Sequence, residues 1–143
     1  MILLEAGINE IVVTLTEKAT LTNPAYIFLF VNDNTGQKYF CSSGNTSQYT
    51  DRYNKFNIEV KSSPNWLNGQ VDLDDYGFYH YYVYERANTT GLVYNTLVAA
   101  DIRDLVPTYF TGLVETGKMK YVPPDSENDI YADTRSAVKS YGQ

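Results

Sequence analysis

The sequence predicts an all-β fold, an antiparallel sandwich, and three observations carry this prediction. Aromatic residues that favour strands are abundant, with 14 Tyr and 6 Phe among 143 residues. Apolar or alternating segments of strand length recur along the chain, separated by clusters of Asn, Asp, Gly and Pro. The good helix formers are scattered rather than periodic. The length suits a single domain with one hydrophobic core.

The first half of the chain contains the segments that most clearly resemble strands. In residues 11–16, Ile11, Val13 and Leu15 alternate with Val12, Thr14 and Thr16, which is typical of a half-buried strand. Residues 25–31 are apolar on both faces, which favours a central strand covered on both sides. The turn residues at 32–36 predict a hairpin to a returning strand at 37–42. Alternation resumes over residues 53–60.

The second half contains two further strands and one segment of a different kind. The aromatic segment Phe78–Glu85 and the segment 113–122 are predicted strands. Between them, Asn95–Val106 has apolar residues at helical spacing. We expect a short surface helix with Asn95 or Thr96 as its N-cap and Pro107 as its stop, or alternatively a strand-rich insertion.

The chain divides into a sandwich domain over residues 1–122 and a C-terminal arm over residues 123–143. The arm is rich in Pro, Ser and acidic residues, with isolated apolar side chains that cannot form a core of their own. It is therefore either disordered or docked on a neighbouring subunit.

A short motif refines the fold prediction. The segment Asp75-Tyr76-Gly77-Phe78-Tyr79-His80-Tyr81 resembles the Asp-x-Gly-x-Tyr-x-Cys entry to the sixth strand of immunoglobulin-like domains, with Tyr81 in place of the Cys. Gly77 permits a tight turn, and the Tyr79 hydroxyl is expected to bond back to the loop backbone in a tyrosine corner. The prediction is an antiparallel immunoglobulin-like β-sandwich with a short helical or irregular insertion and an extended C-terminal arm.

Both faces of the 78–84 strand are aromatic. Phe78, His80, Tyr82 and Tyr84 share one face, and the remaining side chains, including Tyr79 and Tyr81, share the other. One face belongs to the core, and the other is either covered by a second layer or contacts a partner. We expect a partner. The predicted interface residues are Tyr79 and Tyr81 on the strand, with Tyr131 and Tyr141 in the arm.

Charge and composition exclude several functions. The net charge of −6 and the isoelectric point near 4.6 disfavour a nucleic-acid partner. No apolar run reaches the ~18 residues of a membrane span. A single cysteine, Cys41, and a single histidine, His80, exclude a zinc cage built from Cys and His within one chain. No motif ties a nucleophile to His80, and the acidic clusters at 72–75 and 125–129 lack calcium-loop spacing. No catalytic, metal or cofactor residue is predicted.

The order of the segments carries a further resemblance. Together they resemble small β-sandwich virion structural proteins of tailed bacteriophages, crAss-like and marine phages among them. The segments are Asn9–Lys18, Thr22–Phe30, Asp51–Phe56, Gly77–Glu85 and Thr111–Met119. The resemblance covers about residues 8–122 and implies an assembly role, without enzyme activity or cofactor. The long stretch Val93–Phe110 and the extended arm depart from the pattern, so the position within the virion stays open.

The expected function is a non-enzymatic bacteriophage virion structural protein: a capsid-associated auxiliary, decoration or head-fibre-base protein. Its expected partners are copies of itself and other virion proteins, either the major capsid protein or neck and tail proteins. Its expected location is the virion. One alternative is a neck or tail accessory protein. Another is a carbohydrate-binding sandwich that recognises host-surface glycans through Trp66, Tyr49 and Tyr53, because exposed aromatic rings stack on sugars.

Overall fold

The computed structural model describes residues 1–123, which form two β-sheets and a small helical layer. The strands are β1 (Ile2–Leu4), β2 (Gly7–Val13), β3 (Ala25–Asn32), β4 (Lys38–Ser42), β5 (Asn54–Val60), β6 (Gln70–Val71), β7 (Gly77–Arg86) and β8 (Gly112–Tyr121). The helical elements are α1 (Tyr94–Ala99), α2 (Leu105–Thr108) and 3₁₀ turns at Trp66–Asn68 and Ile102–Asp104. Within residues 1–123, no helix has the length and apolarity that crossing a bilayer requires.

The chain is mostly β, and its strands form a five-stranded large sheet and a three-stranded small sheet. The large sheet has the order β1-β8-β7-β3-β4, and the small sheet has the order β2-β5-β6. All predicted strands form. The pairing departs from the predicted antiparallel arrangement at two short strands, because β1 runs parallel to β8 and β6 runs parallel to β5.

Aromatic side chains fill the space between the two sheets. The Phe56 ring from the small sheet meets the Phe28 ring edge-on at a centroid distance of 5.0 Å and the Tyr26 ring at 5.7 Å. Such edge-to-face pairs add to the free energy gained from burial alone. Cys41 on β4 is fully buried in the same cluster.

The first long strand ends earlier than its alternation predicts. Leu15 is fully buried, as the pattern requires, but β2 ends at Val13. The Asn54 side-chain oxygen accepts the backbone N–H of Leu15 at 2.8 Å and that of Thr16 at 3.2 Å. The Asn54 side chain thus takes the place of a neighbouring strand as the hydrogen-bond partner of this backbone. Alternation of apolar and polar residues does not predict such a side-chain contact.

In place of the single helix predicted over residues 95–106, the chain forms three short helical elements: α1, the 3₁₀ turn Ile102–Asp104 and α2. Ala100 has extended backbone angles, so α1 ends at Ala99. The N-cap of α1 is Val93, so the prediction of an N-cap at Asn95 or Thr96 was wrong. Val106 has extended backbone angles within α2, so the helical backbone is interrupted directly before Pro107, where the sequence predicts the end of the helix.

The helical layer packs on the outer face of the large sheet. Its fully or almost fully buried residues are Leu97, Leu105 and Phe110, which join Ile27, Leu29, Phe40 and Tyr84 in a second hydrophobic cluster. The large sheet is therefore covered on both sides over part of its area, which explains why β3 is apolar on both faces.

Candidate functional site

The inner face of β7 contains two of the predicted interface residues, and both are buried. Tyr79 is 0% exposed, and its hydroxyl donates to the Asp75 carbonyl oxygen at 2.6 Å. Gly77 has a φ of 122°, which a residue with a Cβ rarely adopts. The predicted bond from the Tyr79 hydroxyl back to the loop is confirmed.

Tyr81 lies beside Tyr79 on the same face. It is 7% exposed, and its hydroxyl donates to Glu115 Oε2 at 2.7 Å. Burial, aided by the neighbouring Glu115 carboxylate, raises the pKa of the Tyr81 phenol. Because Tyr79 and Tyr81 fill the space between the sheets, the expectation that they contact a partner is corrected: the exposed side chains of β7, Phe78 and His80, lie on the opposite face. The other two predicted interface residues, Tyr131 and Tyr141, lie outside the described residues, as does the acidic cluster at 125–129.

One end of the outer face of β7 is covered by the helical layer. The Tyr84 ring stacks on Phe110 at a centroid distance of 4.8 Å, and Tyr82 stacks on Tyr84 at 6.3 Å. At this end, the face of β7 outside the core is covered by a second layer of the same chain, which is the alternative to a partner that the sequence left open.

The other end of that face is exposed, and we call it the open patch. It consists of Leu3, Phe78, His80, Lys118 and Lys120, on β1, β7 and β8. Leu3 is 58% exposed and Phe78 is 47% exposed. Lys120 lies between them, since it pairs with Leu3 on one side and with Phe78 on the other. The patch is a strand surface with two large exposed apolar side chains.

Charged groups surround the Phe78 ring. Lys120 Nζ lies 5.2 Å from the ring centroid and Lys118 Nζ lies 5.9 Å away, both at cation–π distance. Asp33 accepts from Lys118 and pairs with His80 Nδ1 at 2.8 Å. The hydrogen bond from Lys118, and then that from His80, holds the pKa of Asp33 below its usual value. The rim of the patch combines two ammonium groups with one carboxylate.

Trp66 lies in an open groove on another part of the surface. The groove has a volume of about 520 Å³, and its walls include Lys38, Tyr39, Trp66, Asp72, Asp74 and Tyr94. The half-buried Trp66 ring meets the Tyr94 ring edge-on at 5.4 Å. The Tyr39 hydroxyl donates to Asp74 Oδ2 at 3.2 Å, so one carboxylate is fixed in the wall. Aromatic surface beside carboxylate oxygens is a combination that can hold a polyhydroxy ligand.

The other two predicted glycan residues form a separate group. Tyr49 is 57% exposed, and its ring lies 6.2 Å from that of Tyr53. Lys55 Nζ lies 5.8 Å from the centre of the Tyr53 ring. The structure thus pairs Tyr49 with Tyr53, and pairs Trp66 with Tyr94.

One buried carboxylate serves the fold. Glu85, at the end of the inner face of β7, is 2% exposed. It accepts the Thr20 N–H at 3.0 Å, the Thr20 hydroxyl at 2.8 Å and the Leu21 N–H at 2.9 Å. Burial acts to raise its pKa, but these hydrogen bonds outweigh burial and lower it. Glu85 therefore holds the loop between β2 and β3.

The described residues contain no group of three or more His, Cys, Asp or Glu side chains placed to hold a metal ion. Lys118, Lys120 and Tyr94 are site residues that were not predicted from the sequence. The period-2 pattern of β8 could have placed both lysines on one face. Which residue lies beside the two lysines depends on strand pairing, which the sequence of β8 does not reveal.

Comparisons of the chain with family models, with curated proteins and with solved structures find no match.

Proposed function

We propose that the protein is a non-enzymatic structural component of a bacteriophage virion that acts through protein–protein contacts. Among structural roles, a capsid-associated auxiliary, decoration or head-fibre-base protein is favoured over a neck or tail accessory protein. The observation that carries the proposal is the open patch, in which Phe78 and Leu3 are exposed on neighbouring strands and Lys118 and Lys120 lie beside the Phe78 ring.

The chemistry of the open patch suits a protein partner. Protein interfaces combine an apolar, often aromatic, centre with a polar rim, and Phe78 beside Lys118, Lys120 and Asp33 has that arrangement. Desolvation on binding would strengthen the attraction between the lysines and the ring. The two ammonium groups favour a partner surface with carboxylates next to an apolar pocket.

The strand order supports the finer proposal that the sandwich is immunoglobulin-like. In such domains, one sheet has neighbouring strands G, F, C and C′, and the tyrosine corner lies at the start of strand F. Here β8, β7, β3 and β4 are neighbours in that order, and the Tyr79 bond lies at the start of β7. The parallel strand β6 follows β5, which distinguishes this chain from the usual arrangement.

Peptide mass spectrometry of purified virions, scaled to the major capsid protein, tests the function. We expect the protein in the particle. Copies on the scale of the capsid lattice would indicate a decoration or auxiliary protein, and a few dozen or fewer would indicate a vertex, neck or tail position. Absence from the particle would contradict the proposal.

Substitutions in the open patch test the surface. We expect Phe78→Ala combined with Lys120→Glu to reduce incorporation into particles by at least about tenfold, since a central aromatic side chain and its charged neighbour each contribute about 1 kcal/mol or more at a hot spot. Tyr49→Ala is the matched control, because it removes a ring of similar exposure in another group. Equal incorporation of the two variants would remove the open patch from the proposal.

The groove beside Trp66 supports a second candidate function, the binding of host-surface glycans. We expect Trp66→Ala to abolish retention on a glycan matrix that retains the parent chain. Tyr53→Ala is the control, since its ring belongs to the separate pair with Tyr49. Loss of retention in both variants would indicate a different site, and a parent chain that no glycan retains would contradict this candidate.

A further inference from the structure

Strand β2 is the edge strand of the small sheet, and one side of its backbone is unpaired within residues 1–123. On the other side of β5, the backbone N–H of Glu59 donates to the Gly69 carbonyl oxygen, and that of Lys61 donates to the Val71 carbonyl oxygen. The backbone N–H groups of these two residues therefore point away from β2. Pairs in an antiparallel ladder alternate between bonded and non-bonded. Ile8, which pairs with Glu59, is therefore in a non-bonded pair. It follows that Ile8, Glu10 and Val12 direct their N–H and C=O groups to the free edge.

The same three residues present their side chains on the outer face of the small sheet. Ile8 is 72% exposed and Val12 is 56% exposed, with the exposed Glu10 between them. The outer face of β2 therefore carries an apolar, an acidic and a second apolar side chain at alternate positions.

Apart from the charge of Glu10, this edge lacks the features with which proteins usually protect exposed strands. β2 contains neither Pro nor Lys, and it is paired with β5 without a register shift over all 7 of its residues. A long, regular edge with apolar side chains is a template for an added strand. Addition of a strand supplies main-chain hydrogen bonds for affinity, and alternate side chains supply specificity.

The end of the chain contains a segment of matching pattern, Ser136-Ala137-Val138-Lys139-Ser140-Tyr141. At alternate positions it reads Ala137, Lys139 and Tyr141, which is apolar, basic, apolar. In an antiparallel pairing with Lys139 opposite Glu10, Tyr141 falls opposite Ile8 and Ala137 falls opposite Val12. An opposite-charge pair and an aromatic pair with a β-branched residue both stabilise neighbouring strands.

The intervening residues of the segment also match. The same pairing places Val138 opposite Ile11, which is 6% exposed and faces the core. It places Ser140 opposite Asn9, a polar residue whose amide donates to the Ile58 carbonyl oxygen at 3.2 Å. The apolar and polar positions therefore agree on both faces of the added strand.

We propose that residues 137–141 of one copy of this chain add as an antiparallel strand to the β2 edge of a second copy, with Lys139 paired to Glu10. The donor is taken as a second copy because the proposed function is assembly, and to that extent the inference rests on it. The length of the chain permits the exchange. The twelve residues 124–135 span up to about 40 Å when extended, which exceeds the length of β2 and allows the segment to reach a neighbour.

Disulfide trapping between two different full-length chains tests the proposal. A chain with Glu10→Cys is mixed with a chain carrying Lys139→Cys under mild oxidation, and cross-links are located by mass spectrometry. Residues directly opposite in a bonded antiparallel pair have Cα atoms about 5.5 Å apart, which a disulfide can span. We expect a disulfide between residues 10 and 139 of different chains.

The control is Asn57→Cys in place of Glu10→Cys. Asn57 is an exposed residue that pairs with Glu10 but lies one strand further from the edge. It is expected to cross-link at least fivefold less. Equal yields for the two positions would overturn the proposal. In a chain that carries both Glu10→Cys and Lys139→Cys, a disulfide confined to one molecule would also overturn it.

Charge reversal supplies a second readout. Glu10→Lys and Lys139→Glu are each expected to weaken self-association about three- to tenfold, measured by sedimentation, and the double variant is expected to recover it. Failure of the double variant to recover would contradict the pairing of these two side chains. The outcome is separate from the test of function: a virion protein without the cross-link contradicts only the strand exchange, and a cross-linked protein absent from virions contradicts only the function.

Discussion

The two faces of β7 carry similar aromatic side chains and differ in what covers them. On the inner face, Tyr79 and Val83 are fully buried against the small sheet. On the outer face, Tyr84 is 3% exposed beneath the helical layer, whereas Phe78 at the other end is 47% exposed. A strand with aromatic side chains on both faces thus indicates that other residues pack against each face, from the same chain or from a partner. The length of the insertion determines how much of the outer face the chain covers itself, and the remainder is the open patch.

The largest expected effect is in the core between the sheets. Phe56→Ala removes a fully buried ring that meets both Phe28 and Tyr26, so we expect a loss of about 3–5 kcal/mol in the free energy of unfolding, measured with urea. Phe78→Ala on the open patch is the matched control and should change that free energy by less than about 0.5 kcal/mol. Similar losses in the two variants would contradict the distinction between the faces.

A smaller effect is expected in the helical layer. Leu97 is fully buried in the second cluster, so Leu97→Ala should cost about 2–4 kcal/mol. Because the layer packs on the outside of the sheet, its amides should exchange with deuterium faster in the variant than those of β3 and β7. Val93→Ala, at an exposed position before α1, is the control. Uniformly faster exchange across both sheets would show that the layer and the core unfold together.

The smallest effect concerns the charged end of the inner face. Glu85→Gln should cost about 1–3 kcal/mol at neutral pH, since a charged acceptor of several hydrogen bonds is lost. The pKa of Glu85 is lower in the folded chain than its ordinary value of 4.5, so its contribution is present above that pH and is lost as the pH falls below it.

Urea unfolding between pH 3 and 6 measures this contribution. The parent chain should lose more stability on acidification than Glu85→Gln does. Glu17→Gln, at an exposed loop position, is the control and should follow the parent chain. Parallel curves for the parent chain and Glu85→Gln would contradict the role of the carboxylate.

The long strands were predictable because each has an alternating or continuous apolar pattern that local sequence displays. β1 and β6 were not, since strands of three and two residues have no period to detect. The end of β2 was set by the Asn54 side chain, which lies 39 residues from its partner Leu15.

The candidate site depended even more on distant contacts. The motif around Gly77 and Tyr79 predicted its own hydrogen bond because all its parts are local. Which face of β7 turns inward depends on the position of the small sheet, and the sequence of β7 is aromatic on both faces. The roles of Tyr131 and Tyr141 remain predictions.

The buried thiol of Cys41 can report on transient opening of the fold. It is the single cysteine of the chain, it is fully buried on β4, and burial raises its pKa, so a thiol reagent can reach it only when the large sheet separates from its neighbours. When reclosing is faster than labelling, the labelling rate of the native protein is proportional to the equilibrium fraction of open molecules. Because each molecule has one thiol, the fraction of protein with a single added mass gives the fraction of molecules that have opened and reacted. The same measurement applies to free subunits and to assembled ones.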